Sequence, residues 1–377
     1  MSTSSTSTLR IPQHMLPGDG RFGCGPSKVP ARAIEALGGP GARVLGTSHR
    51  QAPVKKLVQQ VREGLAQLFE LPEDYEVVLG NGGSTAFWDV ATLTLVEHRS
   101  QHLVFGEFSS KFATATAAAP FLEAPEVIEA KPGTHPLPRS TPDVDAYCLT
   151  HNETSTGVAM AIERVGGAGQ LVLVDATSGA AGLPIRVSET DAYYFAPQKC
   201  FASEGGLWIA LVSPAAIERA ERLEKSGRWI PASLSLGLAL ENSRLNQTYN
   251  TPAIATLFLL QQQLQWILEM GGLSWAVDRS RQSSAIIYSW AEQRTFATPF
   301  VANRAERSAV VATIDLADDV PAREVSAILR ENGIVDTESY RKLGRNQLRV
   351  GLFPAVDPAD VVQLTRCIDW VVGALRG

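Results

Sequence analysis

Two residues near the middle of the chain could do chemistry together, Lys199 and Asp175. Lys199 follows a short apolar run, Ala192 to Ala196, that Pro197 breaks, and it precedes a small-residue stretch ending in Gly205 and Gly206. A lysine just past a buried strand, in a glycine-rich bend, can meet a carbonyl group in a cleft. Lost hydration there lowers its pKa and frees the amine to attack. A solvated loop lysine is the competing reading. Asp175 ends a second apolar run, Leu171-Val-Leu-Val-Asp175. A strand-end carboxylate followed by a strand-end lysine suggests pyridoxal phosphate, one residue for the pyridine nitrogen and one for the aldehyde.

The elements that must position this pair are those of a large α/β protein. Short apolar runs recur at Tyr75–Leu79, His102–Phe105, Asp145–Leu149, Leu171–Val174, Ala192–Ala196 and Leu207–Val212. Continuous rather than alternating runs predict strands buried on both faces of a mainly parallel sheet. Ligands of such sheets gather outside the carboxyl ends of the strands, and Gly83, Phe108, Thr154, Asp175 and Lys199 each fall just after one of the runs. Between the first run and a helical pattern through Phe87, Val90 and Leu93 lies Gly80-Asn-Gly-Gly-Ser-Thr85, which reads equally as a tight turn or as a helix N-terminus for an anion. Helical spacing predicts a helix from Val54 to Leu68 and another through Leu257, Leu260, Leu264 and Leu268, ending at Gly271-Gly272. Beyond it the rhythm changes to strand Val310–Leu316, helix Ala322–Asn332, strand Gln347–Phe353 and helix Pro358–Leu375, a compact α+β unit. The predicted division is a large cofactor domain over 21–270 and a small C-terminal domain over 271–377, with segment 1–20 disordered or packed near the latter.

Composition narrows the class. A chain of 377 residues, 45% hydrophobic and 19% charged, suits two globular domains. A net charge of −5 with scattered basic residues gives no electrostatic case for nucleic acid or an anionic membrane. Cys24, Cys148, Cys200 and Cys367 lack metal-ligand spacing and a disulfide framework, which fits a reducing compartment. The polar start Met1-Ser-Thr-Ser-Ser-Thr-Ser-Thr8 has no signal-peptide pattern, and no run is long enough for a membrane span, so a cytoplasmic protein is expected.

Five segments, in order, carry a resemblance: Phe22-Gly-Cys-Gly-Pro-Ser, Thr47-Ser-His-Arg50, Asn152-Glu-Thr154, Ala196-Pro-Gln-Lys199 and Tyr249-Asn-Thr-Pro252. Together they resemble the motif set of the phosphoserine aminotransferases, and His151-Asn-Glu-Thr-Ser-Thr-Gly157 with Tyr340-Arg-Lys-Leu-Gly-Arg345 is most similar to the actinobacterial branch. The resemblance implies a fold-type I aminotransferase: a large domain with a mainly parallel seven-stranded sheet, a small C-terminal α+β domain, and a homodimer with active sites at its interface. It implies pyridoxal 5′-phosphate on Lys199 as a Schiff base, with Lys199 also the proton shuttle, and Asp175 on the pyridine nitrogen. Phe108 would stack on the ring, where the family often has tryptophan, and Thr154 would meet the phenolic oxygen. Read without the family, Phe108 is equally a packing residue and Thr154 a turn hydroxyl. The backbone N–H groups of Gly83 and Ser84, with Gln198, would take the cofactor phosphate, completed by Asn250 and Thr251 of the other subunit.

Arg349 would grip the substrate α-carboxylate, and His49 and Arg50 the distal phosphate or the glutamate side-chain carboxylate. Arg341, Lys342 and Arg345 read as a solvated loop, and Cys24 and Cys200 as packing residues, Cys200 standing where relatives commonly carry asparagine. The implied reaction exchanges the amino group between L-glutamate and 3-phosphohydroxypyruvate in serine biosynthesis, with the 4-phosphohydroxythreonine pair of pyridoxine biosynthesis as a further substrate. An alanine–glyoxylate or serine–pyruvate type aminotransferase, and a non-catalytic protein of the same fold, remain as alternatives. A cysteine desulfurase is disfavoured because Cys367 lies in a helical pattern rather than a mobile loop.

Overall fold

The computed structural model describes residues 9–377, so the polar tail, expected to be disordered, lies outside the described residues. The chain opens with α1 (Ala31–Gly38) and α2 (Ala52–Leu68), then alternates β1 (Glu76–Gly82), α3 (Ser84–Thr94), β2 (Ser100–Val104), α4 (Glu107–Ala117), β3 (Glu126–Glu129) and β4 (Ala146–Thr150). A small hairpin of β5 (Asn152–Glu153) and β6 (Val158–Ala159) precedes β7 (Leu171–Asp175), β8 (Ala192–Phe195) and β9 (Gly206–Val212). Helices α5 (Pro214–Lys225), α6 (Leu236–Arg244), α7 (Ile254–Met270) and α8 (Gly272–Glu292) follow. The C-terminal part holds β10 (Ala297–Pro299), β11 (Val311–Leu316), α9 (Ala322–Glu331), β12 (Gln347–Gly351) and α10 (Pro358–Arg376).

Seven strands form one sheet in the order β1-β9-β8-β7-β4-β2-β3. Only β9 runs against its neighbours, so the carboxyl ends of β1, β2, β4, β7 and β8 share one edge. The alternation of side chains divides each strand between two apolar layers. Val77, Leu79, Val172, Val174, Tyr193 and Phe195 face α2 and α7, while Val78, Leu171, Leu173, Tyr194 and Trp208 face α3 to α6. This α/β/α layering is why the strands read as continuous apolar runs: neither face meets water. The helices obey local rules. Helix α2 has Pro53 in its first turn and buries Val54, Leu57, Val58, Val61, Leu65 and Leu68, and Asp357 caps α10 by accepting the Ala359 N–H at 2.9 Å.

A second apolar cluster joins β10–β12, α9, α10 and the later turns of α8, with Ile11 and Phe22 inserted from the N-terminal segment. Residues 9–20 lie against this unit: the Ile11 N–H donates to Asn332 Oδ1 at 3.0 Å and the Gly18 N–H to Asp360 Oδ1 at 2.7 Å. Among the described residues, no helix is long and apolar enough to cross a membrane.

Candidate active site

Asp175 closes β7 at the sheet's carboxyl edge and is buried. Trp88, on α3, donates its indole N–H to Asp175 Oδ2 at 2.8 Å, and Thr177 gives Oδ1 its backbone N–H at 2.9 Å and its hydroxyl. Burial pushes the carboxyl pKa up, opposed by those hydrogen bonds and by the Lys199 charge. A carboxylate held in so dry a place is stabilised by a cation, and a protonated pyridine nitrogen supplies one.

Lys199 sits beyond β8, where Pro197 ends the strand, and is half-buried. Its Nζ donates to the Cys24 carbonyl at 2.8 Å. The Phe22–Ser27 segment lies against its side chain: a Cβ on Gly25 would stand 1.8 Å from Lys199 Nζ, and Gly25 also has a φ of +135° that favours glycine. Burial lowers the lysine pKa to about 8, with the Arg349 charge acting in the same direction and Cys24, Cys200 and Asp175 opposing. The amine therefore loses its proton far more readily than a solvated lysine, although it stays mostly protonated below about pH 8. Cys200 is buried, its Sγ 3.2 Å from the Ser178 carbonyl.

Thr154 pairs its hydroxyl with Ser178 Oγ at 2.7 Å, and its carbonyl accepts from Arg349 Nη1 at 3.0 Å. Arg349 reaches this point from β12, the central guanidinium 5.2 Å from the Tyr340 ring, and its Nε is buried without a partner. Phe108 begins α4, half-buried, its ring centre 6.2 Å from that of Tyr340. Thr154, Arg349, Tyr340 and Phe108 are thus joined by contacts, and the charges of Arg349 and Asp175 bear on Lys199.

Gly83 and Ser84 stand where β1 gives way to α3, whose free N–H groups and positive dipole end suit an anion. Ser84 Oγ, buried there, lacks a hydrogen-bond partner. A hydroxyl left orphaned at a helix N-terminus is a donor that a phosphate-bearing ligand would satisfy. His49 and Thr251 form a separate cluster: Thr251 Oγ1 lies 3.1 Å from His49 Nδ1, and Asn81 Nδ2 donates to the carbonyls of Asn250 and Thr251 at 3.3 and 3.0 Å. Asn250, Thr251 and Arg50 are exposed, and no hydrogen bond joins this cluster to Lys199 among the described residues. Arg341, Lys342 and Arg345 are exposed, as a solvated loop would have them, and at this surface Lys342 pairs with Glu107 and Arg345 with Asp315.

Several participants carry no sequence signal. Trp88 lies in an apolar helix pattern and Thr177 and Ser178 in a turn; each gains meaning only from what folding brings to it.

The sequence profile of the class-V aminotransferases matches residues 22–337. A phosphoserine aminotransferase of Nocardioides sp. is 58% identical over 373 residues, covering 98% of this chain and all of the relative. The crystal structure of a phosphoserine aminotransferase from Cytophaga hutchinsonii superposes with a TM-score of 0.86 at 26% identity, over 94% of this chain and 100% of that one. An alanine–glyoxylate aminotransferase from Nostoc sp. shares the fold, with a TM-score of 0.78 at 20% identity over 99% of this chain and 100% of that one. The chain belongs to the class-V aminotransferases and, within them, to the phosphoserine aminotransferase family. It is a pyridoxal-phosphate-dependent transaminase of fold type I.

Proposed function

We propose that the chain transfers an amino group reversibly between L-glutamate and 3-phosphohydroxypyruvate, yielding O-phospho-L-serine and 2-oxoglutarate. The observation that carries this reading is a lysine of lowered pKa, Lys199, with a free-edged arginine, Arg349, and the buried Asp175 bearing on its charge, in a chain this similar to a phosphoserine aminotransferase. Pyridoxal phosphate, when bound, supplies the electron sink that lets an amino acid release its α-proton.

The chain's residues do the rest. Lys199 Nζ would hold the cofactor and would accept and return the substrate α-proton, a task suited to a pKa of about 8. Asp175, fixed by Trp88 and Thr177, keeps a proton on the ring nitrogen. Phe108 offers a flat face, Thr154 a hydroxyl, and Gly83, Ser84 and Gln198 the phosphate contacts. Arg349 holds the α-carboxylate through its Nε edge.

Asn250 and Thr251 are read as reaching into the site of a second subunit together with His49 and Arg50, which would meet the distal phosphate or carboxylate. Their exposure, and the way Asn81 pins the loop that carries them, support this homodimer reading. The divide near Gly271 is kept as the proposed domain boundary; a second apolar cluster gathers most of β10–β12, α9 and α10, while Ala276, Val301, Val310, Val311 and Phe353 belong to the first. A reducing, cytoplasmic setting accords with four buried, unpaired cysteines.

A substrate panel at fixed glutamate tests the reaction. Released 2-oxoglutarate should be abundant with 3-phosphohydroxypyruvate, and scarce with hydroxypyruvate, pyruvate and glyoxylate. No release with the phosphorylated acid, or faster turnover of glyoxylate, would remove the proposal. Including the keto partner of 4-phosphohydroxythreonine decides the second substrate.

A further inference from the structure

Glu153 is 0% exposed, yet none of the roles above uses it. It sits on β5, one residue before Thr154, and its carboxylate reaches across to the start of α4. Oε2 accepts the backbone N–H of Phe108 at 3.1 Å and of Ser109 at 2.9 Å, and the Ser109 hydroxyl at 3.0 Å. Oε1 accepts from the Ser155 N–H at 3.1 Å and from the Ser155 hydroxyl at 2.7 Å. Charged acceptors make the stronger hydrogen bonds, and the positive end of a helix dipole suits this one further. The approach depends on Gly106, where a Cβ would stand 2.3 Å from Glu153 Cγ and 2.6 Å from Ser155 Oγ.

These contacts tie two surfaces together. On one side stands Phe108, whose own N–H the carboxylate binds. On the other stands Thr154, covalently next to Glu153, whose hydroxyl meets Ser178 and whose carbonyl holds Arg349. We propose that Glu153 is a positioning residue for the cofactor: it fixes the Phe108 ring relative to the Thr154 hydroxyl, and so sets how tightly and in which orientation pyridoxal phosphate is held. The inference rests on the reading of Phe108 and Thr154 as cofactor contacts. Glu153→Gln keeps the size but turns an acceptor into a donor facing N–H and O–H groups, so the start of α4 must shift.

The test titrates cofactor-free wild type, Glu153→Gln, Phe108→Ala and the double variant with pyridoxal phosphate, following affinity and the visible circular dichroism of the bound cofactor. Glu153→Gln should weaken binding about tenfold and alter the dichroic band, because buried donors lose their acceptor. In the Phe108→Ala background the same change should add little, since the tie then has nothing to position. Wild-type affinity and dichroism in Glu153→Gln would overturn the proposal, and so would a loss that simply adds to that of Phe108→Ala. Should Glu153→Gln fail to fold, Ser155→Ala, which withdraws one hydroxyl from Oε1, should show the same non-additivity at smaller size; additivity there counts against the proposal equally. If Phe108→Ala alone binds like wild type, the reading of Phe108 falls and this inference with it.

Discussion

Lys199 is half-buried against a backbone carbonyl, with Arg349 as its neighbouring positive charge. Both burial and that charge disfavour the ammonium form, so the folded pKa, about 8, lies below the ordinary lysine value of 10.5. The sign follows: the amine is protonated below about pH 8 and neutral above it. Capture of pyridoxal phosphate by cofactor-free protein, read by stopped-flow absorbance, should accelerate through about pH 8 and then level. In Arg349→Gln the midpoint should move up, because a neighbouring positive charge is gone. A midpoint near 10.5 in the wild type would mean the amine is solvated. Asp175 meets the same cost with the opposite charge, so burial raises its pKa, and Trp88 and Thr177 are its local remedy. The lysine and the aspartate are legible in the sequence because each follows an apolar run. Their remedies are not, since an indole on α3 has no sequence relation to a carboxylate on β7.

At the scale of elements, the sheet edge gathers loops from β1, β2, β4, β7 and β8, and the Phe22–Ser27 segment closes over Lys199 from outside. Gly25→Ala should leave the fold intact by far-ultraviolet dichroism but reduce cofactor occupancy and activity by about 10²-fold, because the new methyl group and the Lys199 amine cannot share one place. Wild-type occupancy in this variant would show that the segment moves aside freely. Six of the seven strands of the sheet are readable from continuous apolar runs, which double-sided burial imposes; the edge strand β3, Glu126–Glu129, alternates in burial and is not. The reversed direction of β9 was not, because strand direction is set by pairing between distant residues. Helix α8 also escaped the pattern: it buries Ser280, Ser283 and Ser284 beside Ala276, Val277 and Ile287, so its inner face is too polar to announce itself. Helix α4 mixes serine, threonine and alanine, and its start is secured by Glu153 from another part of the chain rather than by its own composition.

For the whole molecule, half-buried His49 with the exposed Arg50, Asn250 and Thr251, and the cluster around Lys199, have separate contacts within one chain. The homodimer proposal unites them across subunits, and it predicts complementation. Lys199→Ala and an Asn250→Ala, Thr251→Ala double variant should each be inactive alone, yet regain activity when co-expressed, since a mixed dimer restores one complete site. No recovery would place each site within a single subunit. The motifs of the cluster around His49 were legible only through family resemblance; nothing in a polar loop states that it serves a neighbour. Everything proposed converges on one covalent link. Borohydride reduction of the yellow holoenzyme, followed by digestion and mass mapping, should find the cofactor's mass on Lys199 alone, and Lys199→Ala should be colourless and unlabelled. Label on another lysine, or none in the wild type, would contradict the account at its centre.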